Sequence, residues 1–249
     1  IPYQELITPR LQPSFLDQAM TLTPLLSGLT GSLGLLHGSV GVGKTHAVRQ
    51  ASHRLEAALD VIPVRPSWVE PADLLGYYDP LAAIFRPGPF TEALKRHGSR
   101  DLLHVICLDE LNLARIENYA ADLLSRLEYS KQDADAKTTV QLYSDADYAG
   151  LAKEMELLSG IHGASPEQIR RRTLLEGTLL QYPSRMLIPN GLALLGTLNA
   201  DETTFDLSPK VIDRAYCLHF PPASMQGFPA YPGQSSQPSA SGGFRWSEL

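Results

Sequence analysis

The chain has 249 residues, 43% hydrophobic and 19% charged, enough to bury the core of one large α/β domain or of a domain with a small appendage. A formal net charge of −6 excludes a global positive field for nucleic acid and leaves only a local basic patch or an assembled channel. There is no signal-peptide pattern and no apolar run of about 18 residues, so nothing points to secretion or membrane spanning.

In chain order, residues 1–32 carry Pro2, Pro9, Pro13 and Pro24 and read as an irregular N-terminal segment with a helix near 14–28. Leu33 to His37 is a short apolar run, expected as a buried strand. Beyond a glycine loop, Ala47, Val48, Ala51, Leu55 and Leu59 recur at helical spacing. Asp60 to Val64 reads as a second strand. Pro71 opens a short helix closed at Gly76, and Phe90 to His97 forms another, ended by Gly98. Leu102 to Leu108 is the clearest buried strand, with Asp109-Glu110 at its end. Ile116, Tyr119, Ala120, Leu123, Leu124 and Leu127 then make one helical face.

Residues 131–185 begin polar and acidic without periodicity and are expected to be an insertion. Helices are predicted near 145–159 and 166–180, the second with Ser165 as N-cap and Pro166 at its first position. Met186 to Pro189 suits a hairpin strand, Gly191 to Leu198 a fourth core strand, Ser208-Pro209 through Arg214 a short helix, and Ala215 to Phe220 a fifth strand. Residues 221–249 are rich in Pro, Gly and Ser and read as a tail or linker. Strands alternating with helices imply a parallel sheet with helices on both faces, with ligands at the strands' carboxyl ends. Cys107 and Cys217 lack CxxC spacing and sit in apolar runs, so both are expected as buried reduced thiols in a cytoplasmic protein. The chain starts at Ile1-Pro2 and reads as a processed product or a piece of something longer.

Gly38-Ser39-Val40-Gly41-Val42-Gly43-Lys44-Thr45 matches G-x-x-x-x-G-K-[ST] in full. Glycines let backbone N–H groups turn inward around phosphates; Lys44 offers charge to the β and γ phosphates; Thr45 offers a hydroxyl to Mg²⁺; the helix start adds its dipole. An apolar strand ending in Asp109-Glu110 is the Walker B pattern. Asp109 is placed to hold Mg²⁺ through water and Glu110 to polarise the attacking water, although a strand-end helix cap also explains two acids there. Asn199, at the tip of Gly196-Thr197-Leu198-Asn199, suits a sensor of the γ-phosphate, and equally a turn. Arg214 precedes the last strand, where it serves either as a finger toward a neighbour's nucleotide or in a surface salt bridge.

These motifs, with LDELNLARIENYAADLLSRLE following Walker B, then GTLNADETTFDLSPKVIDRA, and the earlier Trp68 to Pro80 stretch, resemble the AAA+ ATPases of the McrB-like branch. This is the motor-subunit group of methylation-dependent restriction systems, related more distantly to MoxR and dynein-type ATPases. The likeness covers roughly residues 30–220. It implies a three-layer P-loop fold on a five-stranded parallel sheet, with Asn199 as sensor 1 and Arg214 as arginine finger. Asn112 then organises the site or a subunit contact. Tyr77 and Tyr78 lie where a pore-facing loop can sit, or else pack. A homo-oligomeric ring, a hexamer, is implied, because a finger acting in trans needs a neighbour. The pattern departs from the family after Phe220, where no helical lid with a second sensor arginine is recognisable. Arg170-Arg171-Arg172 suits either nucleic acid or a solvated helix face.

The expected organisation is therefore an N-terminal segment (1–32), a nucleotide-binding core (33–220, with 131–185 inserted) and a tail (221–249). The leading functional expectation is Mg²⁺-dependent hydrolysis of ATP, with GTP open, by a ring motor that moves DNA through the assembled complex beside a nuclease subunit. A MoxR-like remodeller of a protein partner and a nucleotide-gated assembly module are the alternatives.

Overall fold

A computed structural model describes residues 32–82, 84–97, 103–129, 138–189, 191–199 and 205–220. The elements run β1 (Leu33–Gly38), α1 (Lys44–Arg54), β2 (Ala58–Pro63), α2 (Pro71–Leu75), β3 (Gly76–Asp79), β4 (Ile84–Pro87), α3 (Pro89–His97) and β5 (His104–Asp109). A 3₁₀ turn (Leu111–Leu113) leads to α4 (Ile116–Tyr119), α5 (Ala121–Tyr129), β6 (Thr139–Gln141), α6 (Asp145–Ser159), α7 (Pro166–Gln181), β7 (Arg185–Leu187), β8 (Leu192–Asn199), α8 (Pro209–Ile212) and β9 (Ala215–Phe220).

Five strands form one sheet in the order β2-β5-β8-β1-β9, every pairing parallel. Parallel neighbours need crossover connections, and helices supply them. Side chains alternate across each strand. Leu36, Val105, Cys107, Ala193 and Leu195 therefore meet Val48 and Ala51 of α1 on one face. Leu35, Ile106, Leu108 and Leu194 meet Phe90, Ala93 and Leu94 of α3, together with Leu111, Ile116 and Leu123, on the other. Burial on both faces is why β5 and β8 read as near-continuous apolar runs. Each such fully buried large side chain contributes about 1.5–3 kcal/mol.

Most predicted elements lie within a residue or two of their place, and the differences have local causes. Helix α1 stops at Arg54, because Glu56 takes φ 52°; Leu59, expected on the helical face, belongs to β2. The face from Ile116 to Leu127 is two helices, since Ala120 leaves helical geometry at φ −130°. Residues after Gly76, for which the sequence predicts no element, form a hairpin in which Tyr77 pairs Arg86 and Tyr78 pairs Phe85. Gly76 permits the sharp exit from α2 at φ 95°. Tyr78 packs against Tyr143, ring centroids 5.6 Å apart, whereas Tyr77 stays exposed. The expected helix near 14–28 and the tail 221–249, with the question of a lid, lie outside the described residues.

Helices α6 and α7 pack together, and their segment is flanked by a two-stranded stem in which β6 pairs antiparallel with β7. Ser165 caps α7 as expected: its Oγ accepts from the Gln168 N–H, and the Gln168 side chain accepts from the Ser165 N–H. Arg171, read as open to nucleic acid or solvent, grips Glu154 with two bonds of 2.8 and 3.1 Å and reaches the Leu81 carbonyl. It ties the helix pair to the β3–β4 hairpin. Among the described residues no helix is long and apolar enough to cross a membrane.

The cysteine expectation holds for one residue only. Cys107 is buried in the middle of the sheet, where burial pushes its thiol up to about 12. Cys217 is exposed, because β9 is an edge strand. Iodoacetamide at pH 8 is expected to alkylate Cys217 and spare Cys107 until the protein is unfolded, read by peptide mass spectrometry. Equal labelling of both in the native state would contradict the packing around β5.

Candidate active site

The glycine loop connects the end of β1 to the start of α1. Gly41 and Gly43 take φ 81° and 90°, a left-handed backbone that L side chains rarely adopt, and open space lies where their Cβ atoms would be. Gly43 is the N-cap of α1 and gives no side-chain cap, and the first turn holds no acidic residue. The helix start thus carries no side-chain cap from its N-cap residue and no acid that repels an anion. Lys44 is 5% exposed. Its Nζ donates to the carbonyls of Gly38 and Ser39, each at 2.8 Å, which bends the loop around the ammonium.

Three strand ends meet beside it. Register sets β1 next to β8 (Leu36 against Thr197) and β5 next to β8 (Leu108 against Gly196). Asp109 Oδ1 accepts from Thr45 Oγ1 at 2.7 Å and from Thr197 Oγ1 at 2.7 Å. Thr197 Oγ1 in turn accepts from the Glu110 N–H at 2.8 Å. Glu110 sits at φ 54°, ψ 46°, a left-handed position that costs a non-glycine residue about 1–3 kcal/mol unless neighbours hold it. That bond and the Leu113 N–H to the Glu110 carbonyl (2.9 Å) hold it. Its carboxylate accepts from Asn199 Nδ2 at 2.9 Å.

Asn112 is buried and locks the arrangement from behind. Its Nδ2 donates to the Asn199 carbonyl (3.0 Å), its Oδ1 accepts from the Asn199 N–H (3.3 Å), and its carbonyl accepts from the Phe205 N–H (2.9 Å). Of the two roles open for Asn112, the geometry supplies the organising one. Thr197, 1% exposed, was not singled out from sequence. Its signal was there: a hydroxyl in an otherwise apolar strand, two residues before Asn199 and so on the same face.

Arg214 is not part of this cluster. It follows α8 at the start of β9, where Nη1 donates to Ser125 Oγ at 3.2 Å. Since Leu33 pairs Ala215 and Gly38 pairs Phe220, Arg214 lies at the opposite end of the sheet, about 20 Å along the strands from its own phosphate loop.

The residues fit their expected ligands. An uncapped helix start and a buried ammonium suit a phosphate chain. The Thr45 hydroxyl and the Asp109 carboxylate, hard oxygen donors 2.7 Å apart, suit Mg²⁺.

Loop, paired carboxylates and a polar strand tip at the carboxyl ends of a five-stranded parallel sheet together define a P-loop nucleoside triphosphatase of the AAA+ kind. Residues 34–215 match the AAA domain of the dynein-related subfamily, and the chain belongs to that family. Nucleotide binding and hydrolysis by an AAA+ domain is the activity of that class. Among solved structures, the chain is similar to a "putative ATPase" from Cytophaga hutchinsonii, with TM-score 0.44 and 18% identity, covering 82% of this chain and 46% of that one. The chain thus spans less than half of the length of that relative. No curated protein matches it.

Replacing Thr197 by Val keeps the shape but removes the hydroxyl shared by Asp109 and Glu110. Stability is expected to fall by about 1–3 kcal/mol, measured by urea unfolding. Turnover of the nucleotide is expected to fall roughly 10–100-fold through misplaced carboxylates. Lys44→Ala is expected to abolish binding of a fluorescent triphosphate; Mg²⁺-dependent binding at wild-type strength in that variant would remove the loop from the site.

Proposed function

We propose that this chain is the motor core of a ring-forming AAA+ ATPase of the McrB-like branch, in which hydrolysis of ATP drives movement of DNA for a restriction or defence complex. In this reading residues 33–220 are the nucleotide-binding core, 131–185 its insertion, 1–32 a preceding segment and 221–249 a linker. The ring is a hexamer, and a separate nuclease subunit supplies cleavage.

The observation that carries the reading is the division of the site. Thr45, Asp109, Glu110, Thr197 and Asn199 are joined by hydrogen bonds, whereas Arg214 stands at the far end of the sheet from its own loop. An arginine so placed reaches a triphosphate only on another subunit. Bound Mg²⁺ supplies charge neutralisation at the phosphate oxygens. Lys44 and the amides of the loop and α1 hold the β and γ phosphates. Glu110 accepts the proton of the water that attacks the γ-phosphorus, and the bond to the β-γ bridging oxygen breaks to release ADP. Asn199, bonded to the Glu110 carboxylate, orients both that base and the water. Arg214 of one subunit meets charge developing on the γ-phosphate of the next.

ATP is favoured over GTP because most AAA+ proteins use ATP; the loop itself reads phosphates and not the base. A MoxR-like remodeller of a protein partner uses the same chemistry and differs in what stimulates it.

Glu110→Gln is expected to keep triphosphate binding and lose turnover by roughly 10²–10⁴-fold; unchanged turnover would exclude Glu110 as the base. Mixing inactive Lys44→Ala and inactive Arg214→Ala proteins is expected to restore part of the activity, since some interfaces then join an intact loop to an intact finger. No recovery in a mixture shown to co-assemble would refute action in trans. Stimulation of turnover by double-stranded DNA supports the motor reading, and stimulation by a protein partner alone supports the remodeller.

A further inference from the structure

On the face of the sheet away from α1, side chains of three residue types that ligate metals converge from three elements, far from the glycine loop. Asp60 lies on the edge strand β2 and pairs Ile106; His104 opens β5. Residues two apart share a face, so Asp60 and His104 point to the same side, where α3 packs. His97, the last residue of α3, completes the group. His104 Nε2 lies 2.9 Å and His97 Nε2 3.3 Å from the same atom, Asp60 Oδ2. One ligand atom from each of the three residues falls within 4.8 Å of the others. The guanidinium of Arg96 takes the other carboxylate oxygen, Oδ1, at 2.5 Å. Oδ2 is thereby left to the two imidazoles.

The surroundings make this more than a surface ion pair. The His104 side chain is 2% exposed, Asp60 12% and His97 22%. Among the described residues, Nδ1 of both histidines is buried without a hydrogen-bond partner, and the two rings meet edge to face with centroids 4.7 Å apart. Both imidazoles are held with Nε2 turned toward one carboxylate oxygen, Asp60 Oδ2. A tetrahedral ion with bonds of about 2.0–2.2 Å holds its ligand atoms about 3.3–3.6 Å apart. The observed separations approach that spacing, and the more exposed His97, at a helix end, can adjust by a small side-chain rotation.

We propose that Asp60, His97 and His104 form a binding site for a divalent transition-metal ion of the zinc class, separate from the Mg²⁺ position at Asp109. Two imidazoles and one carboxylate select zinc, cobalt or nickel over magnesium, which prefers oxygen donors. His104 lies five residues before Asp109 on the same strand, about 17 Å away. A bound ion clasps the edge strand, the end of α3 and the start of β5, with water in the fourth position on the side where His97 and Asp60 reach solvent. Its role is structural: it fastens the sheet edge on which α3 rests.

The test uses the full chain stripped with chelator and kept in excess Mg²⁺, titrated with ZnCl₂ and, for a visible signal, CoCl₂. One equivalent of Co²⁺ is expected to give the d–d absorption of a tetrahedral site, Zn²⁺ to displace it, and stoichiometric Zn²⁺ to raise Tm. His97→Gln, at a partly exposed helix end, and Asp60→Asn are each expected to weaken Zn²⁺ by more than about 100-fold relative to the parent chain while keeping the far-UV circular dichroism and the Mg²⁺-triphosphate affinity. Absence of the Co²⁺ band in the parent chain would overturn the proposal, as would an undiminished band in a folded His97→Gln variant. Loss of triphosphate binding in Lys44→Ala with the Co²⁺ signal intact supports two separate sites.

Discussion

A single oxygen, Oδ1 of Asp109, accepts hydroxyl protons from Thr45 and Thr197 at 2.7 Å each, and much of the candidate site depends on that meeting. It joins the start of α1 to the ends of β5 and β8. It adds a direct tie between loop and carboxylate to the placement that strand register and the packing of α1 already supply. The bonds form where water is scarce, since Thr197 is nearly fully buried, so each is worth more than its counterpart in solvent and costs more when unmade. Thr197 also receives the Glu110 N–H, so one hydroxyl sets the positions of both acidic residues.

Glu110 shows how a local conflict is resolved by tertiary contacts. Its left-handed backbone is unfavourable alone. It persists because the 3₁₀ turn that follows, the Thr197 hydroxyl and the side chain of Asn199 each hold part of it. Asn112 fixes Asn199 in turn through two bonds to its backbone. The carboxylate is therefore aimed by a chain of amides rooted in the core, a rigid support of the kind that proton abstraction requires.

The opposite end of the sheet has different chemistry. Arg214 lies there, bonded to Ser125, and the Asp60–His97–His104 group lies at the β2 edge. Strand β5 links the two ends, with His104 at its start and Asp109 at its close. The fold thus separates a polar edge cluster from the phosphate loop by the length of one buried strand.

Much of this was legible in the linear chain. Apolar runs announced β1, β5 and β8, because strands buried on both faces are built mainly of apolar residues. The loop Gly38–Thr45 and the Asp109-Glu110 pair were legible because phosphate and Mg²⁺ chemistry demands fixed residue types at fixed spacing. The β3–β4 hairpin was not, since its stability comes from Tyr78 and Phe85 packing on Tyr143 of a distant segment and not from an alternating pattern of its own. Nor was the exposure of Cys217, which depends on β9 being an edge strand. The amino-acid order by itself determined which groups can meet a triphosphate, because that chemistry is written in local spacing. Only the tertiary structure decided that Thr197 bridges the carboxylates, that Asn112 braces Asn199, that Arg214 stands away from its own loop, and that Asp60, His97 and His104 meet. Most of these depend on strand order and register, which bring together residues such as Asp60 and His104 or Asn112 and Asn199, and no local pattern encodes that pairing.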